Sequence, residues 1–116
     1  MYSVFLLFIS FFSAAGSVPV ISVSPSSLTV SEGEEALFEC TAKGDPNPTI
    51  RWSRENGQFP QSSSSVNGVL RIFPTKPEDE GAYVCTAANS FGVKAFLVTL
   101  NVERGKWTKI SYISAT

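Results

Sequence analysis

The stretch Asp79-Glu80-Gly81-Ala82-Tyr83-Val84-Cys85 decides the fold class of this chain. It opens with the acidic and glycine residues of a turn and then alternates, so that Tyr83 and Cys85 share one face of a predicted strand. Cys40 lies in the stretch 36–42, where small or apolar residues alternate with larger or polar ones in the same way. Both cysteines therefore occupy apolar-facing positions of predicted strands.

Short segments in which residues alternate with a period of two, as in β-strands, recur along the chain and are separated by turn signals. No window shows sustained helical periodicity with caps. The prolines within 44–48 end the first long strand, Asn56-Gly57 offers a tight turn, and the polar stretch 61–65 reads as a loop. Leu70 falls on the core side of one strand, and the last strand lines the core with alternate residues from Phe96 to Val102. Seven or more such strands predict an all-β fold of two stacked antiparallel sheets.

Cys40 and Cys85 are the two cysteines of the 116-residue chain. Closing the loop between them would stabilise the fold by about 4 kcal/mol in the chain-entropy model. The alternative is a pair of free buried thiols, which an oxidising compartment disfavours. We expect a Cys40–Cys85 disulfide, which leaves no cysteine nucleophile.

Residues 1–16 are predicted to be a secretory signal peptide. The run 4–12 reads V-F-L-L-F-I-S-F-F, and the small residues at 13–17 suit signal peptidase, with cleavage after Ala15 or Gly16. A membrane span would need about 20 apolar residues, and a buried strand would not need so many Phe and Leu. We therefore expect a secreted protein whose domain covers 17–103. Residues 104–116 form a C-terminal tail, or the start of a further module in a longer precursor.

Composition argues against catalysis and against nucleic-acid binding. Without histidine the chain has no Ser-His-Asp triad, no Cys-His pair and no imidazole metal ligand. Nine Lys and Arg against ten Asp and Glu give a net charge of −1, without the basic excess of a nucleic-acid-binding surface. Arg104, Lys106 and Lys109 lie in the tail without an acid among them. They predict at most a weak contact with a polyanion.

Two acidic clusters are the remaining candidates for chemistry: Glu32, Glu34 and Glu35, and the run Glu78-Asp79-Glu80. Paired carboxylates hydrolyse glycosides only within a cleft, and calcium loops space their acids as D-x-D-x-D. Both clusters fall on predicted turns and have neither feature. We read them as solvated turn charges, with Asp79 alone structural, and predict no enzyme, no cofactor and no metal.

Three elements together resemble the immunoglobulin-domain signature: Cys40, then Trp52, then the D-x-G-x-Y-x-C run that ends at Cys85. The resemblance implies a two-sheet antiparallel sandwich in which Cys40 on strand B and Cys85 on strand F bridge the sheets. It places the indole of Trp52, on strand C, against that bridge.

The same resemblance assigns structural roles at the turn between strands E and F. Tyr83 would form a tyrosine corner, Asp79 would brace the turn, and Gly81 would supply backbone freedom. Many related domains carry an arginine before strand E that pairs with this aspartate. Here the segment 61–66 has no basic residue and Arg71 alternates outward, so backbone bonds would have to satisfy Asp79.

The subtype resembles the I-set. The approach to strand C at 44–52 reads G-x-P-x-P-x-I-x-W, and 77–81 and 87–92 are similar to the I-set E–F and F–G segments. Comparable Ig repeats occur in perlecan-like and hemicentin-like matrix proteins and in cell adhesion molecules. The resemblance implies a secreted interaction module of extracellular matrix or cell adhesion that binds a protein partner non-covalently.

The alternative is a soluble immune-type or receptor-decoy recognition domain. An extended F–G segment would favour that alternative, and the turn 89–92 is short. In either case a binding surface must come from a sheet face or from loop tips. The candidates are apolar residues on the outward side of the C–F–G sheet and at the F–G tip, namely Val84, Ala95, Leu97 and Phe91. Scattered apolar surface residues are also normal in soluble proteins.

Overall fold

The computed structural model describes residues 16–105. The predicted signal peptide up to residue 15, and the tail from 106 onward with Lys106 and Lys109, lie outside the described residues. Within the described range the chain forms eight strands and one 3-10 turn. The strands are β1 Ser17–Ser24, β2 Ser27–Ser31, β3 Ala36–Asp45, β4 Thr49–Arg54, β5 Ser63–Val66, β6 Val69–Ile72, β7 Gly81–Asn89 and β8 Gly92–Glu103, and the turn is Pro77–Asp79.

The strands form two four-stranded sheets, ordered β1-β3-β6-β5 and β2-β8-β7-β4. All pairs are antiparallel except β2 with β8, which is parallel, so the predicted two-sheet sandwich is confirmed, with one parallel pair at the edge of its second sheet. The chain crosses from the first sheet to the second at Pro25–Ser26 without reversing direction. As a result β2 runs alongside β8 in the same sense.

The core lies between the two sheets and is built from alternate residues of the strands. The buried apolar side chains are Ala36, Phe38, Cys40, Trp52, Leu70, Ile72, Tyr83, Cys85, Val98, Leu100 and Val102. Cys40 and Cys85 form the expected disulfide across the sheets. Each large apolar side chain buried in this way contributes about 1.5–3 kcal/mol.

Phe96 departs from the predicted pattern of the last strand. It alternates with the buried side chains of β8, yet it is 36% exposed. The neighbouring strand β2 pairs only with Thr99 and the residues after it. Phe96 therefore lacks a strand beside it on that edge of the sheet.

The segment 61–65 was predicted to be a loop, but Ser63–Val66 is a strand that pairs with β6. A two-residue turn joins β5 to β6, with φ of 52° at Asn67 and 82° at Gly68. A side chain at Gly68 would collide with the carbonyl of Cys40. The Gly68 carbonyl accepts bonds from the Cys40 amide and from Trp52 Nε1, both at 2.9 Å. The turn thus fixes the register of a serine-rich strand that has little signal of its own.

Two strand ends also differ from expectation. Strand β3 continues to Asp45, past the predicted stop at Gly44, because the Asp45 amide donates to Ser17 Oγ at 3.1 Å. Asn56-Gly57 does form a bend, with φ of 95° at Gly57. Within residues 16–105, however, no strand returns from that bend to pair with β4. Strand β4 is consequently the outermost strand of its sheet.

Candidate functional site

Tyr83 anchors the corner between the 3-10 turn and β7. Its hydroxyl donates to the Asp79 carbonyl at 2.6 Å, in a fully buried position. The Asp79 carboxylate accepts the Lys76 amide at 2.8 Å. Burial, opposed by the nearby Arg54 guanidinium, raises the pKa of Tyr83 to about 12. The phenol is therefore a neutral hydrogen-bond donor at physiological pH, and its role here is structural.

Arg54 supplies a cation at this corner that the sequence reasoning missed. Its guanidinium lies 5.4 Å from the ring centroid of Tyr83. Its Nη2 donates to the carbonyls of Glu78 at 2.6 Å and Glu80 at 3.0 Å. The arginine thus binds the carbonyls of the turn rather than the carboxylate of Asp79. The available signal was the alternation of β4, which puts a charged residue on the same side as buried Trp52.

Gly81 begins β7 directly after the turn. Its φ of 148° is a conformation that favours glycine. A Cβ there would meet Arg54 Nη2 at 3.6 Å, an ordinary contact. The requirement for glycine therefore comes from the backbone conformation rather than from crowding.

A cavity of about 460 Å³ opens beside this corner. Phe59 forms part of its wall and stacks on Tyr83, with ring centroids 6.2 Å apart. Its carboxylates are Glu78 and Asp79, and the latter is already engaged by the Lys76 amide. In the described part of the chain no three metal-ligating side chains gather. This arrangement braces the turn between the 3-10 segment and β7.

Val84 and Leu97 meet on the outer face of the second sheet as cross-strand partners. Leu97 is 50% exposed, and Ala95 lies on the same side opposite Thr86. Across β4, β7 and residues 93–101 of β8, the outward positions carry one charged side chain, Arg51. We define the "outer face" as the outward residues of β7 and of 93–101. It is built from small, apolar and uncharged polar side chains.

Phe91 does not join the outer face. It lies at the tip of the turn between β7 and β8, 52% exposed, and packs against Gly16. Asn89 organises this end of the domain, since its Nδ2 donates to the carbonyls of Ser17 at 2.7 Å and Pro46 at 3.0 Å. Its Oδ1 accepts the Phe91 amide at 2.9 Å. The predicted binding residues therefore fall in two places, three on the outer face and one at the tip.

Residues 18–89 match the family described as immunoglobulin domain. The chain is 35% identical over 99 residues to the basement membrane-specific heparan sulfate proteoglycan core protein of Mus musculus, covering 84% of this chain and 3% of that protein. It is 44% identical over 88 residues to lachesin of Drosophila melanogaster, covering 73% of this chain and 24% of that protein. The chain thus spans a small part of the length of these relatives.

Solved structures agree with the family match. The ectodomain of mouse nectin-like molecule 4, which holds Ig1 to Ig3, aligns with a TM-score of 0.67 and 31% identity over 75% of this chain and 31% of that one. No helix in the described range is long and apolar enough to cross a membrane. The chain belongs to the immunoglobulin-domain family.

Proposed function

We propose that this chain is a secreted, I-set interaction module of extracellular matrix or cell adhesion, and that its outer face binds an extracellular protein non-covalently. The observation that carries the proposal is the exposed Val84–Leu97 pair within a nearly uncharged sheet surface. The neighbouring outward residues, such as Ala95, are uncharged. Depletion of charge is the usual composition at the centre of a protein interface.

The opposite face of the sandwich has a different composition. There Glu39 and Lys43 point outward from β3, and Arg71 of β6 pairs with Glu35. Charges interspersed in this way keep a surface hydrated and raise the cost of covering it. The difference favours the outer face as the partner-binding side.

Two relatives support the proposed biological setting. A basement-membrane proteoglycan and lachesin both contain segments similar to this chain. The apolar run at 4–12, with small residues after it, supports entry into the secretory pathway. An oxidising compartment would in turn suit the Cys40–Cys85 disulfide.

The proposal is tested with the full chain, produced in a secretory host and displayed as a multimer against an array of recombinant extracellular domains. The double variant Leu97→Lys with Val84→Lys places two charges on the outer face without touching the core. A matched control, Val20→Lys with Val66→Lys, places two charges on the opposite face at residues 70% and 64% exposed.

We expect at least one array member to bind the wild type and the control but not the outer-face variant. Equal loss in both variants would contradict the choice of face. Equal retention in both would move the binding site to the loop tips, where Phe91 lies.

A further inference from the structure

Strand β4 leaves one edge of its sheet open. It pairs with β7 on one side, and within residues 16–105 no strand pairs with its other side. The Glu55 amide donates to the Ala82 carbonyl at 2.9 Å, in register with the β4–β7 ladder. Because hydrogen-bonded and non-bonded pairs alternate in an antiparallel ladder, the amides and carbonyls of Ile50, Trp52 and Arg54 point toward the open edge.

The chain that follows β4 does not cover this edge. After the bend at Gly57 it turns toward the corner described above, where Arg54 Nη1 donates to the Gln58 carbonyl at 3.2 Å. Phe59 then stacks on the buried Tyr83 ring. Both contacts draw the segment toward that corner, and within residues 16–105 no strand pairs with the free side of β4. An open edge of this kind is a template for pairing with another strand.

The outward side chains of the same strand carry complementary charges. Arg51 and Glu55 are both exposed and lie on the same side of β4 as Ser53. Four residues of extended strand separate them by about 13 Å, too far for an ion pair within one molecule. In the part of the chain that the structure describes, one side-chain ion pair forms, between Arg71 and Glu35. Neither Arg51 nor Glu55 therefore has an ion-pair partner among residues 16–105.

We infer that two copies of this chain pair through their β4 edges, antiparallel and about a two-fold axis at Ser53. In that register Arg51 lies directly opposite Glu55 of the second copy, and the symmetry forms the same ion pair again. Trp52 of one copy and Arg54 of the other then exchange backbone hydrogen bonds, because the amides and carbonyls of both residues face the open edge. The two sheets join into one continuous sheet across the dimer.

Neighbouring registers do not bring opposite charges together. A two-fold axis at Arg51 would bring the two arginines directly opposite each other, and an axis at Trp52 would place Arg51 opposite Ser53. Opposite charges that face each other across a strand pair stabilise it, whereas like charges destabilise it. Charge complementarity thus selects the axis at Ser53. This pairing leaves the outer face free and does not depend on the proposed function.

Sedimentation velocity of the purified full chain over a concentration series tests the inference. We expect a reversible monomer–dimer equilibrium, weak because a single strand edge buries little surface. Arg51→Glu and Glu55→Arg, each alone, place like charges opposite each other twice and should raise the dimer dissociation constant about tenfold or more. Circular dichroism and thermal unfolding confirm that each variant is folded.

The decisive experiment mixes the two single variants. The Arg51→Glu copy then carries an acid at both positions, and the Glu55→Arg copy carries an arginine at both. Opposite charges therefore face each other twice in a mixed dimer, so the mixture should dimerise although neither component does.

Two further variants complete the charge test. The double variant Arg51→Glu with Glu55→Arg restores opposite charges at both contacts and should recover dimerisation. Lys43→Glu with Glu39→Arg, on the other sheet, serves as the matched charge control and should leave the wild-type equilibrium unchanged.

Three outcomes would overturn the inference. A wild type that remains monomeric at every concentration would contradict the proposed dimer. Dimerisation that survives either single charge reversal would contradict the proposed strand register. Dimerisation abolished by Leu97→Lys but not by Arg51→Glu assigns self-association to the outer face instead.

Discussion

The two sides of strand β7 differ in nearly every physical property. On the inward side, Tyr83 and Cys85 are fully buried, and each is tied to another element by a hydrogen bond or a covalent bridge. On the outward side, Val84 makes no such bond and lies between Ser53 of β4 and the half-exposed Leu97 of β8. Because alternate residues of one strand face opposite environments, a residue that supports the core and a residue of the proposed binding face are separated in sequence by a single position.

If the outer face binds a partner as proposed, inward substitutions should change the free energy of unfolding and outward ones should change binding. The largest effect is expected at Trp52, which packs 6.1 Å from the Phe38 ring and donates Nε1 to the Gly68 carbonyl. Trp52→Ala should lower the free energy of unfolding by about 3–5 kcal/mol, since it removes a large buried aromatic. Urea titration followed by circular dichroism measures this loss.

Trp52→Phe is the matched control, because it keeps an aromatic ring and removes only the indole donor. The Gly68 carbonyl still accepts the Cys40 amide in that variant, so its loss should be clearly smaller than that of Trp52→Ala. Equal losses would show that the hydrogen bond, rather than the packed ring, dominates at this site.

An intermediate effect is expected at Tyr83. Tyr83→Phe removes the donor to the buried Asp79 carbonyl and should cost about 1–3 kcal/mol. The wild type should also show an alkaline loss of stability. The phenol titrates with a pKa of 10.0 when unperturbed and of about 12 in the folded protein. Its contribution is therefore complete below pH 10 and is lost as pH rises through 12.

The pH dependence distinguishes the phenol from other alkaline effects. Unfolding midpoints of wild type and Tyr83→Phe, measured from pH 8 to 12 as matched pairs, should converge as the phenol ionises. A constant difference between the two proteins over that range would show that the Tyr83 hydroxyl does not titrate with folding.

The sequence predicts those parts of the fold that depend on few, strongly constrained residues. Cys40, Trp52 and Tyr83 are of this kind, because a bridge, a packed indole and a corner hydroxyl each require one residue type. Strand β5 escaped prediction because its serines have weak strand preference and its register comes from the Asn67-Gly68 turn. The parallel pairing of β2 depends on a crossing between sheets that no local pattern encodes.

The candidate site was predictable to a similar extent. Alternation along β7 and β8 correctly places Val84, Ala95 and Leu97 on one side of the sheet. It does not place Phe91, because a residue at a turn is positioned by the neighbours that the turn contacts, here Asn89 and Gly16. Arg54 was missed for a related reason, since its role depends on carbonyls contributed by a distant turn.

The smallest effect on stability is expected where the effect on binding is largest. Leu97 is half exposed, and its cross-strand partner Val84 is uncharged. Leu97→Lys should therefore change the free energy of unfolding by no more than about 0.5 kcal/mol, as is usual for surface substitutions. Urea titration beside the control Val66→Lys measures the difference. A loss comparable to that of Tyr83→Phe would mean that Leu97 supports the fold, and the outward side of β7 would then no longer be separate from the core.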